Sequence, residues 1–115
     1  MVGIGGGLIY SSLGPTHHTL EELSILGNLP GLVCFSPADK IELEDCFRRI
    51  SNPAFKSPSY LRLGKAGEPI LESKEILFNG DLIMRVDAED PNCKYVILTY
   101  GVLSHFVVKW VDKIN

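Results

Sequence analysis

A ten-residue run near the amino terminus constrains this chain more than any other segment. Residues 13–22 read Leu-Gly-Pro-Thr-His-His-Thr-Leu-Glu-Glu. The Gly-Pro pair predicts a turn, and Thr19 with Glu22 has the spacing of a capping box that begins a helix. Two adjacent imidazoles, His17 and His18, are therefore placed at the start of a helix, where they can donate, accept or carry a proton near neutral pH. A polar loop whose histidines only cap the helix and contact water fits the same pattern, because short motifs carry a high risk of false matches.

The overall composition indicates an ordinary globular domain. The 115 residues are 45% hydrophobic and 22% charged, which is enough for one small core. With 11 basic and 14 acidic side chains the net charge is −3, so neither a nucleic-acid surface nor a polybasic membrane segment is indicated. There is no apolar run long enough for a bilayer and no positively charged start of a signal peptide. We therefore expect a cytoplasmic protein with no membrane partner.

The cysteines point to the same kind of compartment. Cys34, Cys46 and Cys93 are odd in number and far apart, with no Cys-x-x-Cys pair. We interpret them as buried free thiols in a reducing environment and not as disulfides or metal ligands.

Apolar periodicity predicts alternating helices and strands in the middle of the chain. Helices are expected over residues 19–28 and 40–51, and strands over 32–35 and 59–63. This alternation is typical of a parallel α/β sheet with right-handed crossovers. Residues 1–18 are expected to form a glycine-rich loop without a strand. The apolar positions expected to face the core of the two helices are Leu20, Leu23, Leu26, Leu29, Leu43, Cys46, Phe47 and Ile50.

The pattern changes after Pro69. Two short apolar stretches around Asn79-Gly80-Asp81 predict a hairpin between Glu75 and Asp87. A further strand is expected over residues 95–99, followed by a helix after Gly101. The apolar face of that helix comprises Val102, Phe106, Val107, Trp110, Val111 and Ile114.

The order of these motifs resembles one enzyme family. Gly-Pro-Thr-His-His, an apolar helix, Leu-Pro-Gly-Leu, a strand, Ser-Pro-Ala-Asp, a second helix and Tyr-Leu-Arg-Leu-Gly follow one another. This resembles the pyrimidine-binding domain of the thiamine-diphosphate-dependent transketolase family, and most closely the C-terminal subunit of transketolases encoded as two subunits. The likeness is close over residues 3–70 and looser beyond them.

The resemblance implies an α/β fold of the pyrimidine-binding type. Its parallel sheet would carry helices on both faces and would be incomplete, followed by a hairpin and the start of a second α/β domain. The implied division is residues 1–68 for the second half of the pyrimidine-binding domain, 69–92 for a linker with the hairpin, and 93–115 for the start of the C-terminal domain.

The resemblance also implies site residues, cofactors and partners. His17 aligns with a histidine that bonds the donor sugar and shuttles protons, and Arg62 with an arginine that binds the sugar phosphate. The implied cofactors are thiamine diphosphate and Mg²⁺, with the metal and diphosphate held by another subunit or domain. Sugar phosphates and that diphosphate-binding partner are the expected ligands of a homo- or hetero-oligomer, in which a two-carbon ketol unit is transferred.

Departures from the family pattern leave alternatives open. Ser12 and Leu13 stand where many single-chain transketolases have an acidic pair, and the glutamate that contacts the pyrimidine would lie before Met1. We therefore expect a fragment that is inactive alone. A non-catalytic remnant or interaction module, and a piece of 1-deoxyxylulose-5-phosphate synthase or of a 2-oxoacid dehydrogenase beta subunit, fit as alternatives. For Arg62 the alternative is an inward-facing arginine paired with a carboxylate, for His18 a capping or interface role, and for His105 a structural or exposed position.

Overall fold

A small parallel sheet lies at the centre of the fold. In the computed structural model three strands form this sheet: β1 (Val2–Ile4), β2 (Val33–Phe35) and β3 (Ser59–Leu63). Their order is β1-β3-β2, and both pairings are parallel. The structure describes residues 1–65, 67–71, 75–79, 82–86, 92 and 94–114.

Strand β1 corrects the expectation that residues 1–18 contain no strand. Its three residues pair with β3 so that Gly3 lies opposite Arg62, and Leu61 N donates to the Met1 carbonyl oxygen at 3.0 Å. A three-residue strand beside a run of glycines carries little local preference. Its pairing depends on β3, which is far away in the sequence.

The second helix forms as predicted. Helix α2 (Lys40–Ile50) begins after Asp39, whose Oδ1 accepts a hydrogen bond from Glu42 N at 3.0 Å. In return, the Glu42 carboxylate accepts one from Ala38 N at 2.6 Å. These reciprocal bonds satisfy donors that a helix start otherwise leaves unpaired.

The first helix is shorter than predicted, and the expected cap is wrong. Helix α1 (Glu22–Leu26) follows Glu21, which makes no side-chain capping bond. Thr19 instead forms a two-bond backbone bridge with Gly7, with N···O distances of 2.8 and 3.0 Å. This bridge holds Thr19 in an extended pairing, so the helix begins three residues later.

The core lies between β2, β3 and α2. Phe35, Cys46 and Leu61 are buried there. The partly buried side chains that pack against these three are Val33, Leu43, Ile50, Phe55 and Leu63. The expected burial of Phe47, Leu20 and Leu29 is wrong, because each is about half exposed.

The elements predicted for the second half of the chain are confirmed in part. Strands β4 (Glu75–Asn79) and β5 (Leu82–Val86) form the predicted antiparallel hairpin, and helix α3 (Leu103–Ile114) follows. Gly80, Asp81, residues 87–91 and Cys93 belong to the expected turn, loop and cysteine set but lie outside the described residues.

The strand expected over residues 95–99 is wrong. No strand forms there, and Tyr95, Val96 and Leu98 are more than four-fifths exposed. A segment with the apolar pattern of a strand becomes a strand only where a neighbouring strand is available for backbone hydrogen bonds. On α3, Phe106 and Trp110 are also exposed.

The start of α3 packs on the turn that follows β2. Buried His105 places its Nε2 2.8 Å from the Ala38 carbonyl oxygen, which confirms a structural position for this histidine. Gly101 adopts φ +60°, which favours glycine, and a methyl group there would displace the Ser36 side chain, whose Oγ would lie 2.6 Å away. In the part of the chain that the structure describes, no helix is long and apolar enough to cross a membrane.

Candidate functional site

The carboxyl ends of β1 and β3 lie at the same edge of the sheet because the two strands are parallel. The loop that leaves β1 begins against the end of β3, where Gly5 N and Gly6 N both donate to the Leu63 carbonyl oxygen at 3.0 Å. In open α/β sheets, ligands bind beyond this edge. The loop of residues 5–21, here called the histidine loop, therefore lies where a site is expected.

The Gly7–Thr19 bridge closes the base of the histidine loop. Within it, two 3₁₀ turns cover Ser11–Leu13 and Pro15–His17. Gly7 adopts φ +77°, which side-chain-bearing residues rarely adopt. The loop thus has a fixed base from which both histidines extend.

The two histidines differ in their surroundings. His17 is exposed, and its Nδ1 lies 3.1 Å from Thr16 Oγ1, so Nε2 is the nitrogen that this contact leaves for another group. His18 is half-buried, with Nε2 3.5 Å from the Ser11 carbonyl oxygen. A contact across the histidine loop suits His18 to a structural role, while His17 is open to a ligand.

Among the described residues, Arg62 has two hydrogen-bond partners. Its Nε donates to Glu22 Oε1, and its Nη2 donates to the Thr19 carbonyl oxygen at 3.2 Å. Both side chains of the ion pair are only 14% exposed. This geometry matches the alternative expected from the sequence, an inward-facing arginine paired with a carboxylate. The third guanidinium nitrogen, Nη1, takes part in neither of these two bonds.

Gly6 makes room for the Arg62 side chain. A methyl group at Gly6 would lie 2.5 Å from Arg62 Nε and 2.7 Å from its Cγ. The guanidinium group therefore packs directly on the backbone of the histidine loop. Any larger residue at this position would push the arginine away.

The polar cluster of Glu22, Arg62 and Tyr60 lies beneath the histidine loop. Burial, followed by the negative charge of Glu22, raises the pKa of the Tyr60 phenol. Glu22 Oε2 is buried and has no hydrogen-bond partner among the described residues. The ionised carboxylate therefore depends on Arg62 for its stabilisation, and a change to either partner would leave a buried charge.

The structure brings His17 and Arg62 to the same edge of the sheet but gives them different environments. They are linked through Thr19, which Arg62 bonds and which is two residues after His17. A cavity of about 340 Å³ at this edge is lined by Ile4, Leu63, Lys65 and Val102 among others, and by neither His17 nor Arg62. A wider hollow of about 640 Å³, lined by Val33, Arg49 and Lys56 among others, includes the start of β2.

The described residues do not fit the metal part of a thiamine-diphosphate site. Among them, no group of three or more His, Cys, Asp or Glu side chains could bind a metal ion. Cys34 and Cys46 are free thiols; Cys46 is buried as expected, whereas Cys34 is only partly buried. Burial raises the pKa of both, and for Cys46 burial together with Glu42 and Asp45 raises the pKa to about 11. The Cys46 thiol therefore stays protonated near neutral pH.

Sequence reasoning misses Glu22 and Gly6 as parts of this site. The sequence pattern assigns Glu22 to a helix cap, and Gly6 to a glycine-rich loop. One signal is available: an arginine in the middle of an apolar strand needs a carboxylate or another acceptor when it is buried. The pattern cannot identify which of the many acidic residues supplies it.

The family model and the relatives that match this chain all indicate the same family. The family model described as "Transketolase, pyrimidine binding domain" matches residues 1–67. One of the subunits of an apulose-4-phosphate transketolase, from Phocaeicola vulgatus, is 30% identical over 69 residues, which are 60% of this chain and 22% of the relative. The 6-deoxy-6-sulfo-D-fructose transketolase subunit SqwH from Clostridium sp. strain MSTE9 is 36% identical over 63 residues, 55% of this chain and 19% of the relative.

A third relative is named simply as a transketolase. This protein, from Sinorhizobium medicae, is 39% identical over 62 residues, which are 54% of this chain and 9% of the relative. The matched part of the chain thus spans about a fifth or less of the length of these relatives. No solved structure matches the chain significantly.

Proposed function

Since this chain belongs to the transketolase family, whose pyrimidine-binding domain model matches residues 1–67, we propose that it is part of an enzyme that transfers a two-carbon ketol unit between sugar phosphates. The observation that carries this proposal is the match itself, together with the exposed His17 at the sheet edge where ligands bind. We propose a domain boundary after residue 68. We also propose a cytoplasmic location, which the free thiols Cys34 and Cys46 support.

The proposed enzyme has two kinds of subunit. Two of the relatives are themselves named as transketolase subunits, which supports a split arrangement for this chain. A partner subunit or domain would hold thiamine diphosphate and Mg²⁺, because the described residues here do not form a metal site. The cofactor would supply the carbanion chemistry, while the protein supplies orientation and proton transfer.

His17 is proposed as the proton-transfer group of this chain. Thr16 lies against Nδ1, so Nε2 would face the substrate and exchange a proton with a sugar hydroxyl. An imidazole is suited to this because its ordinary pKa lies near neutrality. The exposed position of His17 supports such a contact.

Arg62 is proposed as the contact for the anionic end of the substrate. The sugars in the names of the two subunit relatives carry a phosphate and a sulfo group, and a planar guanidinium matches such oxyanions. Nε and Nη2 lie on the edge that faces Glu22 and Thr19. The Nη1 side of the group would therefore meet the anion.

The test is reconstitution. The full reading frame that contains this sequence is produced together with the diphosphate-binding subunit from the same genome, here called the assembled enzyme. With thiamine diphosphate, Mg²⁺, a ketose phosphate and an aldose phosphate, we expect ketol transfer. We expect none from the 115-residue chain alone.

A non-catalytic interaction module of the same fold is the second candidate. It is favoured by the exposed apolar side chains on α3, Leu103, Phe106 and Trp110. Stable binding of the partner subunit without turnover of any ketose phosphate would support this candidate against the enzyme.

A further inference from the structure

The partly buried ion pair of Glu22 and Arg62 has a consequence for the histidine loop. We infer that Glu22 is a positioning residue, which fixes Arg62 so that Arg62 bonds Thr19 and holds the loop that carries His17. The importance of His17 rests on the proposed function. The anchoring of the loop does not, because it depends only on the contacts described below.

The first step is the orientation of the guanidinium group. Nε and Nη2 are two donors on one edge of a rigid plane. Glu22 accepts from the first and the Thr19 carbonyl oxygen accepts from the second, at 3.2 Å. A carboxylate at Nε therefore sets the direction in which Nη2 donates.

The second step is the lack of room for other positions. The Cγ and Nε of Arg62 pack on Gly6, where a methyl group would lie 2.7 and 2.5 Å away. A methyl group on Gly7 would lie 3.3 Å from Arg62 Nη2. The guanidinium is thus enclosed between α1, which supplies Glu22, and the backbone of the histidine loop.

The third step is the point of attachment. The Thr19 carbonyl oxygen accepts hydrogen bonds both from Gly7 N, at 2.8 Å, and from Arg62. Thr19 N in turn donates to the Gly7 carbonyl oxygen at 3.0 Å. Arg62 thus adds a side-chain bond to the bridge that closes the loop, two residues from His17.

The fourth step is the energetic cost of removing only one of the two charges of the ion pair. Glu22 and Arg62 are each 14% exposed, and Glu22 Oε2 has no partner among the described residues. A neutral side chain at position 22 would leave Arg62 as a buried cation, which then moves toward water or another acceptor. Its bond to Thr19 is lost in either case.

The structural test is hydrogen exchange on the full chain. Glu22→Gln keeps the size of the side chain and removes its charge, and we expect the amides of Gly7 and Thr19 to exchange about tenfold faster. Glu21→Gln is the matched control, because Glu21 is the adjacent acid and is exposed. Unchanged exchange at both amides in Glu22→Gln would overturn the inference.

A second variant separates anchoring from general stability. Arg62→Lys keeps the buried positive charge, but one ammonium group cannot match the two-donor edge. We expect Glu22 to retain an ion pair while exchange at Gly7 and Thr19 still rises. Slow exchange at both amides in Arg62→Lys would also count against the inference.

The kinetic test uses the assembled enzyme. Glu22→Gln should lower kcat for phosphorylated and unphosphorylated donors alike, because it displaces His17, and should raise KM for phosphorylated donors, because Arg62, the proposed phosphate contact, moves as well. Faster exchange with an unchanged kcat would overturn the positioning role. If the unmodified assembled enzyme has no activity, the proposed function fails, and the exchange data alone decide whether Glu22 anchors the loop.

Discussion

The side chain of Asp39 joins the start of helix α2 to the backbone of Leu71. Its Oδ1 accepts from Glu42 N at 3.0 Å and its Oδ2 accepts from Leu71 N at 2.9 Å. Asp39 is only 5% exposed. One carboxylate thus caps a helix and also ties down the segment that follows the proposed domain boundary.

This double role predicts different effects for two substitutions. Asp39→Asn keeps an oxygen for the helix cap but loses the acceptor for Leu71, so we expect a loss of about 1 kcal/mol in the free energy of unfolding. Asp39→Ala loses both and should cost roughly 2–3 kcal/mol. Urea unfolding followed by circular dichroism measures both, with Glu44→Ala as a control, since Glu44 forms an exposed helix pair with Lys40. Equal losses for Asn and Ala would mean that Leu71 contributes nothing.

His17→Ala should lower kcat of the assembled enzyme by about two to four orders of magnitude, the usual range for the loss of an acid–base group. His18→Ala is the matched control, since His18 contacts Ser11 within the loop. Steady-state kinetics with a ketose phosphate donor gives both values. A small effect of His17→Ala together with a large one of His18→Ala would reverse the assigned roles.

Arg62→Ala should raise KM for phosphorylated donors more than for unphosphorylated ones, because it removes a charge-assisted bond to the phosphate. A drop in kcat common to both donors is expected as well, through the loss of the Thr19 contact. The informative quantity is the ratio of kcat/KM for the two donor classes. If that ratio does not change, Arg62 is a structural arginine only.

The buried thiol of Cys46 predicts a dependence of stability on pH. Its pKa is raised from the ordinary 9.0 to about 11 in the fold, first by burial and then by Glu42 and Asp45. Between these values the unfolded chain loses the proton while the folded chain keeps it, so stability falls as pH rises. The contribution is complete below about pH 9 and is lost toward about pH 11, by roughly 2–3 kcal/mol.

The measurement is the free energy of unfolding at intervals from about pH 8 to about pH 11. Cys46→Ala should flatten this profile relative to the unmodified protein, whatever its effect on stability at the lower end of the range. Cys34→Ala serves as the control, because that thiol is only partly buried. Parallel profiles for Cys46→Ala and the unmodified chain would disprove the assignment.

Local signals in the sequence predict the parts of the fold that depend on neighbouring residues. Helix α2 and strand β3 are examples, since each is specified by a contiguous run with a clear period. Thr19 and Glu22 have the spacing of a capping box, but no cap forms. The backbone N–H and carbonyl groups of Thr19 pair instead with Gly7, twelve residues earlier in the chain. The apolar residues 95–99 have a strand-like pattern but no strand forms there. In both cases a long-range pairing, or its absence, decides the outcome.

The candidate site likewise contains residues that local signals predict and residues that depend on long-range packing. His17 is identified from its motif, since the residues around it carry the signal. Glu22 is assigned to a cap, because nothing in the sequence relates it to Arg62, forty residues later. Which carboxylate neutralises a buried arginine is set by the packing of α1 on the sheet, and no local pattern encodes that.

The strand order β1-β3-β2 also fixes when the sheet can form. The middle strand is the last of the three in the chain, and β1 and β2 each pair with it and not with each other. During synthesis, a chain that has not yet reached Ser59 contains two of the described strands without their common neighbour, so neither of these two pairings can form early. Val2 must then find Leu61 across the whole intervening segment. Such distant pairing makes folding slow and leaves two apolar strand edges open until the ribosome has passed Leu63.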